Sequence, residues 1–327
     1  MHKPDENFMM VSHERNYYTA VLKMLDSQNE DGSWGENRRE KLTLTAHAIQ
    51  LLHSIGLTTK NSENLDKSIN WIKANTPKGS EHWSTRLELG IILDQTKLLN
   101  VYDECTIYIA DLKTKLKSND IKDNDIYWDA IPLFIAAIDY EEKHSIKIMQ
   151  DIPHGEIIKK IKNRYIFADE EENFITIQRK PNNTGLIALY LSKLSKNKAY
   201  LSYQSDAQKM YKWLLLTLES EDENKWHWSG SHGITSYVLI DLIKGNLDYK
   251  LLDESILKIV NYIAPDCNGY VEEDKIKTFN DPVHGKEMYV CMLVLRAMTE
   301  VFHKYSPKLN LIKGLKNMIK EREEKID

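Results

Sequence analysis

Four acidic and imidazole side chains next to apolar helical stretches are the residues of this chain best suited to acid/base chemistry. Asp125 and Asp129 come directly before the apolar segment IPLFIAAI, and His232 and His284 each precede a predicted helix. A carboxylic acid that burial keeps neutral can deliver a proton, and an imidazole can accept or orient one near neutral pH. These four residues are therefore the candidate catalytic groups.

Aromatic and charged residues near these groups are candidates for contact with a substrate. Aromatic walls stabilise cationic groups, and arginine or lysine near a helix N-terminus can hold an anionic group. The substrate-binding candidates are Trp128, Arg179, Lys180, Trp228, Tyr237, Asp281 and Tyr289. Imidazoles gathered with Asp281 would also suit a metal site, but their spacing is not diagnostic of zinc, and no metal or other cofactor is assigned. Capping or packing of the helices is the structural alternative for His232 and His284, and an N-cap of the following helix is the structural alternative for Asp129.

The elements that must position these residues form a repeat. Six polar, turn-rich patches each contain an aromatic residue between two apolar helical stretches, and successive patches lie 42 to 54 residues apart. A period of this length indicates stacked supersecondary units. The six aromatic residues are Trp34, Trp83, Trp128, Phe174, Trp228 and Tyr270.

Twelve helices, two for each patch, follow from the hydrophobic periodicity. They are predicted over 18–25, 42–55, 65–74, 86–93, 108–116, 130–138, 157–165, 184–194, 206–218, 234–243, 252–263 and 287–302. The second helix of most pairs is apolar around much of its circumference, which indicates burial on several sides. The simplest arrangement is an all-α fold, an α6/α6 barrel or toroid that forms a single domain over 1–327. Its parallel inner helices would gather their N-terminal ends at one mouth of a central cavity.

The first repeat resembles a known superfamily. QNEDGSWG followed by LTLTAHAIQLLHSIG is similar to the QW-type repeat of terpenoid cyclases and protein prenyltransferases, represented by squalene-hopene cyclases and prenyltransferase β subunits. The other five repeats match in rhythm more than in letters, and the resemblance covers about residues 17–302. It implies the toroid, and it implies that Gln28 and Trp34 tie the turn to neighbouring helix ends. Gly32 is expected to supply a positive φ in that turn.

The two chemistries of this superfamily have motifs that the chain lacks. Class II terpene cyclases use a DxDD motif, and when Asp129 is laid on its last aspartate, Ile126 and Trp128 fall where the other acids belong. Prenyltransferases hold Zn²⁺ with an Asp-x-Cys pair and a histidine. The corresponding segment around Trp228 has no cysteine, and Tyr289 falls about where the histidine is expected.

Composition restricts the class of protein further. The chain is 42% hydrophobic and 28% charged, and its net charge of −5 gives no basic excess for nucleic acid. No apolar run approaches the roughly 20 residues of a membrane span, and the N-terminus lacks a signal-peptide core, so a cytoplasmic protein is expected. Three cysteines without a CxxC pair do not make a disulfide scaffold. The charged tail, 313–327, is expected to form a final exposed helix.

The leading hypothesis is a terpenoid cyclase-like enzyme that acts on an elongated, partly apolar small molecule by acid/base-assisted cyclisation or rearrangement in secondary metabolism. Asp125 or Asp129 would be the acid, and His232 and His284 the base or orienting groups. One alternative is a metal-assisted or prenyltransferase-like transferase that uses His232, His284 and Asp281. The other is a non-catalytic toroid that binds a lipid or a protein.

Overall fold

A computed structural model describes residues 6–80, 82–94, 99, 101–167, 174–245, 250–263, 279–281 and 285–324. This part of the chain is mostly helical, which confirms the expected all-α class. The helices are α1 (Glu6–Asp26), α2 (Arg38–Ile55), α3 (Glu63–Asn75), α4 (Trp83–Ile92), α5 (Val101–Ser118), α6 (Ile131–His144), α7 (His154–Lys162), α8 (Pro181–Leu194), α9 (Tyr203–Leu216), α10 (His232–Lys244), α11 (Lys250–Ile263), α12 (Met288–Tyr305) and α13 (Leu311–Glu323). A π-helical turn (Asp125–Ala130) leads directly into α6, and a short 3-10 turn (Lys198–Tyr200) precedes α9.

Each of the twelve expected helices overlaps one of the helices α1 to α12, and the expected final helix is α13. The sequence did not predict three short antiparallel hairpins, which lie in the turn-rich patches. They pair β1 (Tyr165–Phe167) with β2 (Ile175–Ile177), β3 (Glu219–Asp222) with β4 (Lys225–His227), and β5 (Phe279–Asp281) with β6 (Gly285–Glu287). Strands of three or four residues are too short to show an alternating pattern.

The described chain divides into two compact units. Unit 1 comprises 1–71, 218–243 and 248–327, and unit 2 comprises 72–217 and 244–247. The expectation of a single domain closed into an α6/α6 toroid stays a prediction. Each unit does contain inner helices of the expected set.

Within unit 2, the helices α4, α6 and α8 pack side by side in the order of the sequence. Two ion pairs connect the second half of α6 with the end of α8 and the residues just after it, Asp139 with Lys193 and Glu142 with Lys196. Both pairs span the same sequence separation, 54 residues. This constant offset requires the two helices to run in the same direction, as the repeat predicts.

Within unit 1, the helices α2 and α12 form another parallel pair. Arg296 hydrogen-bonds to His47, and the His303 ring donates to the backbone carbonyl of Ser54, again with one shared separation of 249 residues. These are the first and the last of the expected inner helices. Tyr17 of α1 supports the pair from outside through a buried hydrogen bond with Thr299 at 2.6 Å.

The turn of the first repeat has the expected structural residues. The Gln28 amide donates to the backbone carbonyls of Gly32 and Asn64 at 2.9 Å, which ties the turn to α3. Gly32 has the expected positive φ of 87°, and the carbonyl oxygen of Lys67 lies only 2.7 Å from where a Cβ would stand. Trp34 is fully buried, and its indole N–H donates to the Met24 carbonyl at 2.7 Å. The structural roles of these turn residues are confirmed.

Three repeats share a hydrogen bond between the turn and the inner helix that was not predicted from the sequence. In each of them a backbone N–H of the turn donates to the hydroxyl of a buried threonine on the following inner helix. The N–H to Oγ1 distances are 3.1 Å for Trp34 and Thr45, 2.9 Å for Ile177 and Thr184, and 3.0 Å for Trp228 and Thr235. A buried backbone donor must find an acceptor, so these threonines hold the turns against the helices.

Candidate functional site

Asp129 lies in the π-helical turn before α6, within unit 2. The Ser84 hydroxyl of α4 donates to Asp129 Oδ1 at 2.9 Å. The hydrogen bond therefore reaches the neighbouring inner helix and does not cap α6, so the simple N-cap alternative for Asp129 is wrong. Burial raises the pKa of Asp129, and the nearby Asp125 carboxylate adds to this effect, although the Ser84 hydrogen bond opposes it. A carboxyl group in this environment retains its proton to higher pH than an exposed one.

Tyr108 of α5 extends the Asp129 contact into a chain of hydroxyl groups. Its side chain hydrogen-bonds to Ser84, and burial together with the Asp129 and Asp125 charges raises its pKa. Tyr108 is therefore protonated near neutral pH and can donate to Ser84, while Ser84 donates to Asp129. The Trp83 ring packs edge-on against Tyr108, with 5.5 Å between ring centroids. This packing restricts the position of the Tyr108 ring.

The other two candidates of this turn are Asp125 and Trp128. Asp125 begins the π-helical turn, and its Oδ2 accepts the backbone N–H of Lys122 at 2.9 Å. Its carboxylate thus has a capping contact as well as an electrostatic effect on Asp129. Trp128 is 41% exposed, so its indole can contact a ligand without a rearrangement of the core. The turn combines a half-buried acid with an accessible aromatic ring.

Arg86, in the first turn of α4, forms a buried ion pair with Glu104 of α5. Arg86 and Glu104 are 6% and 9% exposed, and the Arg86 guanidinium hydrogen-bonds to the Glu104 carboxylate. The Trp83 indole N–H donates to the same carboxylate oxygen. The pair joins α4 to α5 and stabilises the helix that carries Ser84.

His232 lies in the first turn of α10, within unit 1, and its ring stacks on Tyr262. The centroids are 4.4 Å apart and the planes differ by 13°. The neighbouring His227 also packs on Tyr262, and its Nδ1 accepts the Gly230 N–H at 3.0 Å. Ser231 accepts the N–H of Ile234 and so caps α10, which leaves His232 without that role.

The remaining candidates lie in different surroundings. Trp228 is fully buried in the core of unit 1 and has no accessible surface for a substrate. Its prediction as a substrate contact is therefore wrong. Arg179 and Lys180 are exposed in the loop between β2 and α8 of unit 2. Asp281 ends β5, and Tyr289 lies in the first turn of α12. His284 lies outside the described residues, so its predicted catalytic role stays a prediction.

A set of polar residues lies in the middle of the inner helices of unit 1 and was not predicted from the sequence. From 42 to 52 of α2, 233 to 243 of α10 and 290 to 302 of α12, nearly all side chains are buried. Those that keep accessible surface are Thr43, His47, Gln50, Tyr237, Arg296 and Glu300. All are polar, and those of α2 recur at the helical spacing of three and four residues. The signal was present in the sequence as polar residues within LTLTAHAIQLLHSI and MYVCMLVLRAM.

His47 and Arg296 form the centre of this set. Arg296 Nη1 lies 3.0 Å from His47 Nδ1. Because a guanidinium only donates, Nδ1 must accept, and the imidazole carries its proton on Nε2. Burial lowers the pKa of His47 to about 3, and the Arg296 charge contributes in the same direction. The His47 ring also meets Tyr237 edge-on, with centroids 6.4 Å apart.

Metal-ligating groups do not converge in the part of the chain that the structure describes, where no three His, Cys, Asp or Glu side chains form a cluster suited to a metal ion. Cys105 and Cys291 are buried. No helix among the described residues combines the length and the apolar character needed to cross a membrane. In comparisons with known proteins, no family model, curated protein or solved structure matched the chain.

Proposed function

We propose that this chain is a terpenoid cyclase-like enzyme of the α6/α6 toroid class. It would cyclise or rearrange an elongated, partly apolar small molecule of secondary metabolism, with Asp129 as the proton donor. The observation that carries the proposal is the raised pKa of Asp129, which has the environment required of a general acid. The parallel order of α4, α6 and α8 within unit 2, and of α2 and α12 within unit 1, supports the toroid.

The surroundings of Asp129 suit both halves of a proton transfer. Before transfer, burial and the Asp125 charge favour the neutral acid. After transfer, the Ser84 hydroxyl stabilises the new carboxylate through its hydrogen bond to Oδ1. The Tyr108 side chain gives that hydroxyl a second hydrogen-bond partner. The half-exposed ring of Trp128 is the proposed aromatic wall that stabilises a cationic intermediate.

His232 is the proposed base or orienting group of the reaction. Its ring is held in one plane by stacking on Tyr262, which suits a group that must receive a proton from a defined direction. Tyr237 keeps accessible surface and is retained as a substrate contact. The two groups belong to unit 1, and their participation in the reaction of Asp129 is part of the proposal.

An isosteric replacement of Asp129 tests the proposal. Purified protein is incubated with a panel of linear isoprenoids, namely squalene, oxidosqualene and geranylgeranyl diphosphate, and the products are analysed by gas chromatography and mass spectrometry. Since general acid catalysis contributes roughly 10²- to 10⁴-fold, the variant Asp129→Asn is expected to lose at least about 100-fold in turnover. The matched control is Asp111→Asn, which removes an exposed carboxylate of α5 in the same unit.

The pH profile gives a second readout. Activity that needs the protonated acid falls as pH rises through the pKa of Asp129. The variant Ser84→Ala removes a donor that favours the carboxylate, so this alkaline limb should move to higher pH. Full turnover in Asp129→Asn, or an unchanged profile in Ser84→Ala, would contradict the assignment of the acid.

A further inference from the structure

The polar residues on the inner helices of unit 1 have the pattern of a binding site. They keep accessible surface at the middle of helices that are otherwise buried. Polar groups in such positions require hydrogen-bond partners or solvent, and an apolar side chain would cost less there. The set is centred on Arg296 of α12 and His47 of α2, with Tyr237 of α10 beside them. Three helices thus direct polar groups towards one place.

Arg296 brings a half-buried positive charge to this place. Its hydrogen-bond partner is the neutral His47 ring, and no carboxylate in the described part of the chain forms an ion pair with it. A guanidinium that is withdrawn from water is normally paired with an acid. Its planar fork of donors matches the two oxygens of a carboxylate. The charge of Arg296 is therefore suited to pair with an anionic ligand.

His47 lies beside Arg296 without adding charge. Because its Nδ1 accepts from Arg296, the imidazole carries its proton on Nε2. Burial keeps the pKa of this ring at about 3, so it is neutral at physiological pH. Tyr237 and Gln50 are further polar residues of this set that keep some accessible surface. Arg296 is the positively charged member of the set, and Glu300 is its negatively charged member.

We propose that unit 1 binds an organic monocarboxylate, with the carboxylate paired to the guanidinium of Arg296 beside His47 and Tyr237. The planar guanidinium of Arg296 can hold the two oxygens of one carboxylate. Glu300 lies one turn further along α12, and its charge opposes a ligand with several negative charges, such as a diphosphate. The proposal does not depend on Asp129 or on the cyclase assignment, because all of its residues belong to unit 1.

Calorimetric titration with octanoate tests the site. Octan-1-ol serves as the uncharged probe of the same chain length, and inorganic diphosphate as the polyanionic probe. We expect saturable octanoate binding to the wild-type protein that is clearly stronger than binding of the other two. A hydrogen-bonded charge is worth enough that Arg296→Gln should weaken octanoate roughly 10- to 100-fold. The variant Arg38→Gln removes an exposed arginine at the start of α2 and should bind octanoate as the wild type does.

Folding of each variant is checked by far-UV circular dichroism. If Arg296→Gln does not fold, Arg296→Lys takes its place, since it keeps the charge but loses the planar fork, and it should still weaken octanoate. Equal octanoate affinity in the folded Arg296 variant and the wild type would overturn the proposal, as would the absence of saturable octanoate binding. Equal binding of octan-1-ol would exclude recognition of the carboxylate, and tighter binding of diphosphate would exclude the monocarboxylate class. Asp129→Asn should bind octanoate normally, so failure of the cyclase proposal and failure of this one give different results.

Discussion

Removal of the charge on Glu104 is expected to destabilise the protein strongly. Glu104 is 9% exposed and pairs with Arg86, which is 6% exposed. The substitution Glu104→Gln keeps the shape of the side chain and an oxygen that can still accept the Trp83 indole N–H. It therefore isolates the charge, and it leaves the Arg86 guanidinium buried without a counter-ion.

The expected size follows from the burial of both partners. Removal of one partner of a buried ion pair costs about 3 to 5 kcal/mol, because the remaining charge is uncompensated. A protein has roughly 5 to 15 kcal/mol of stability in total, so Glu104→Gln should consume a large part of it. The double variant Arg86→Met with Glu104→Gln removes both charges of this buried pair. The double variant should therefore be more stable than Glu104→Gln alone.

Equilibrium unfolding in urea at pH 7, followed by far-UV circular dichroism, measures these differences. The control is Asp111→Asn, which breaks the exposed pair of Asp111 with Lys115 and should cost less than about 1 kcal/mol. The explanation by an uncompensated charge is refuted if Glu104→Gln costs no more than this control. It is equally refuted if the double variant is less stable than Glu104→Gln alone.

Two other predictions concern stability. Burial lowers the pKa of His154 to about 4, so the unfolded chain binds more protons between its usual pKa and pH 4. The stabilisation is present above pH 6.5, and about 3 kcal/mol of it should be lost by pH 4. The variant His154→Phe should lack this contribution when urea midpoints are compared at pH 7 and pH 4. The substitution Gly32→Ala should cost about 1 to 3 kcal/mol in the same assay, because of its positive φ and the contact with the Lys67 carbonyl. Gly155→Ala in α7 meets no atom within 4 Å and should not destabilise, so an equal loss in both glycine variants would contradict the strain argument.

The helices could be predicted from the sequence because burial imposes a helical period on the apolar residues. The segment IPLFIAAI lies in α6 as expected, and Gly32 was recognisable from the turn that it serves. The hairpin of β3 and β4 could not be predicted, because β3 is fully exposed and has no apolar pattern. Trp228 was assigned to a substrate wall, but its aromatic type does not distinguish a pocket from the core, and it is buried.

The candidate site was partly predictable. Asp129 was found because it precedes an inner helix, and its position beside Ser84 depends on packing between helices that are 45 residues apart in sequence. Arg296 and His47 were not predicted because they lie in the middle of the inner helices, away from the first turns that carry the candidate residues. Their contact joins residues separated by 249 positions, which periodicity along the chain does not reveal.

The π-helical turn at Asp125–Ala130 has a consequence for how this segment could change in evolution. Such a turn holds one residue more than an ordinary helical turn, so loss of one codon there would restore a regular helix. The residues on one side of the deletion would then rotate by about 100° relative to the other side. A single-codon deletion could thus turn the carboxyl group of Asp129 away from Ser84 while the apolar face of α6 stays intact. The number of residues in this turn, as well as their identity, therefore decides whether the carboxyl group of Asp129 reaches Ser84.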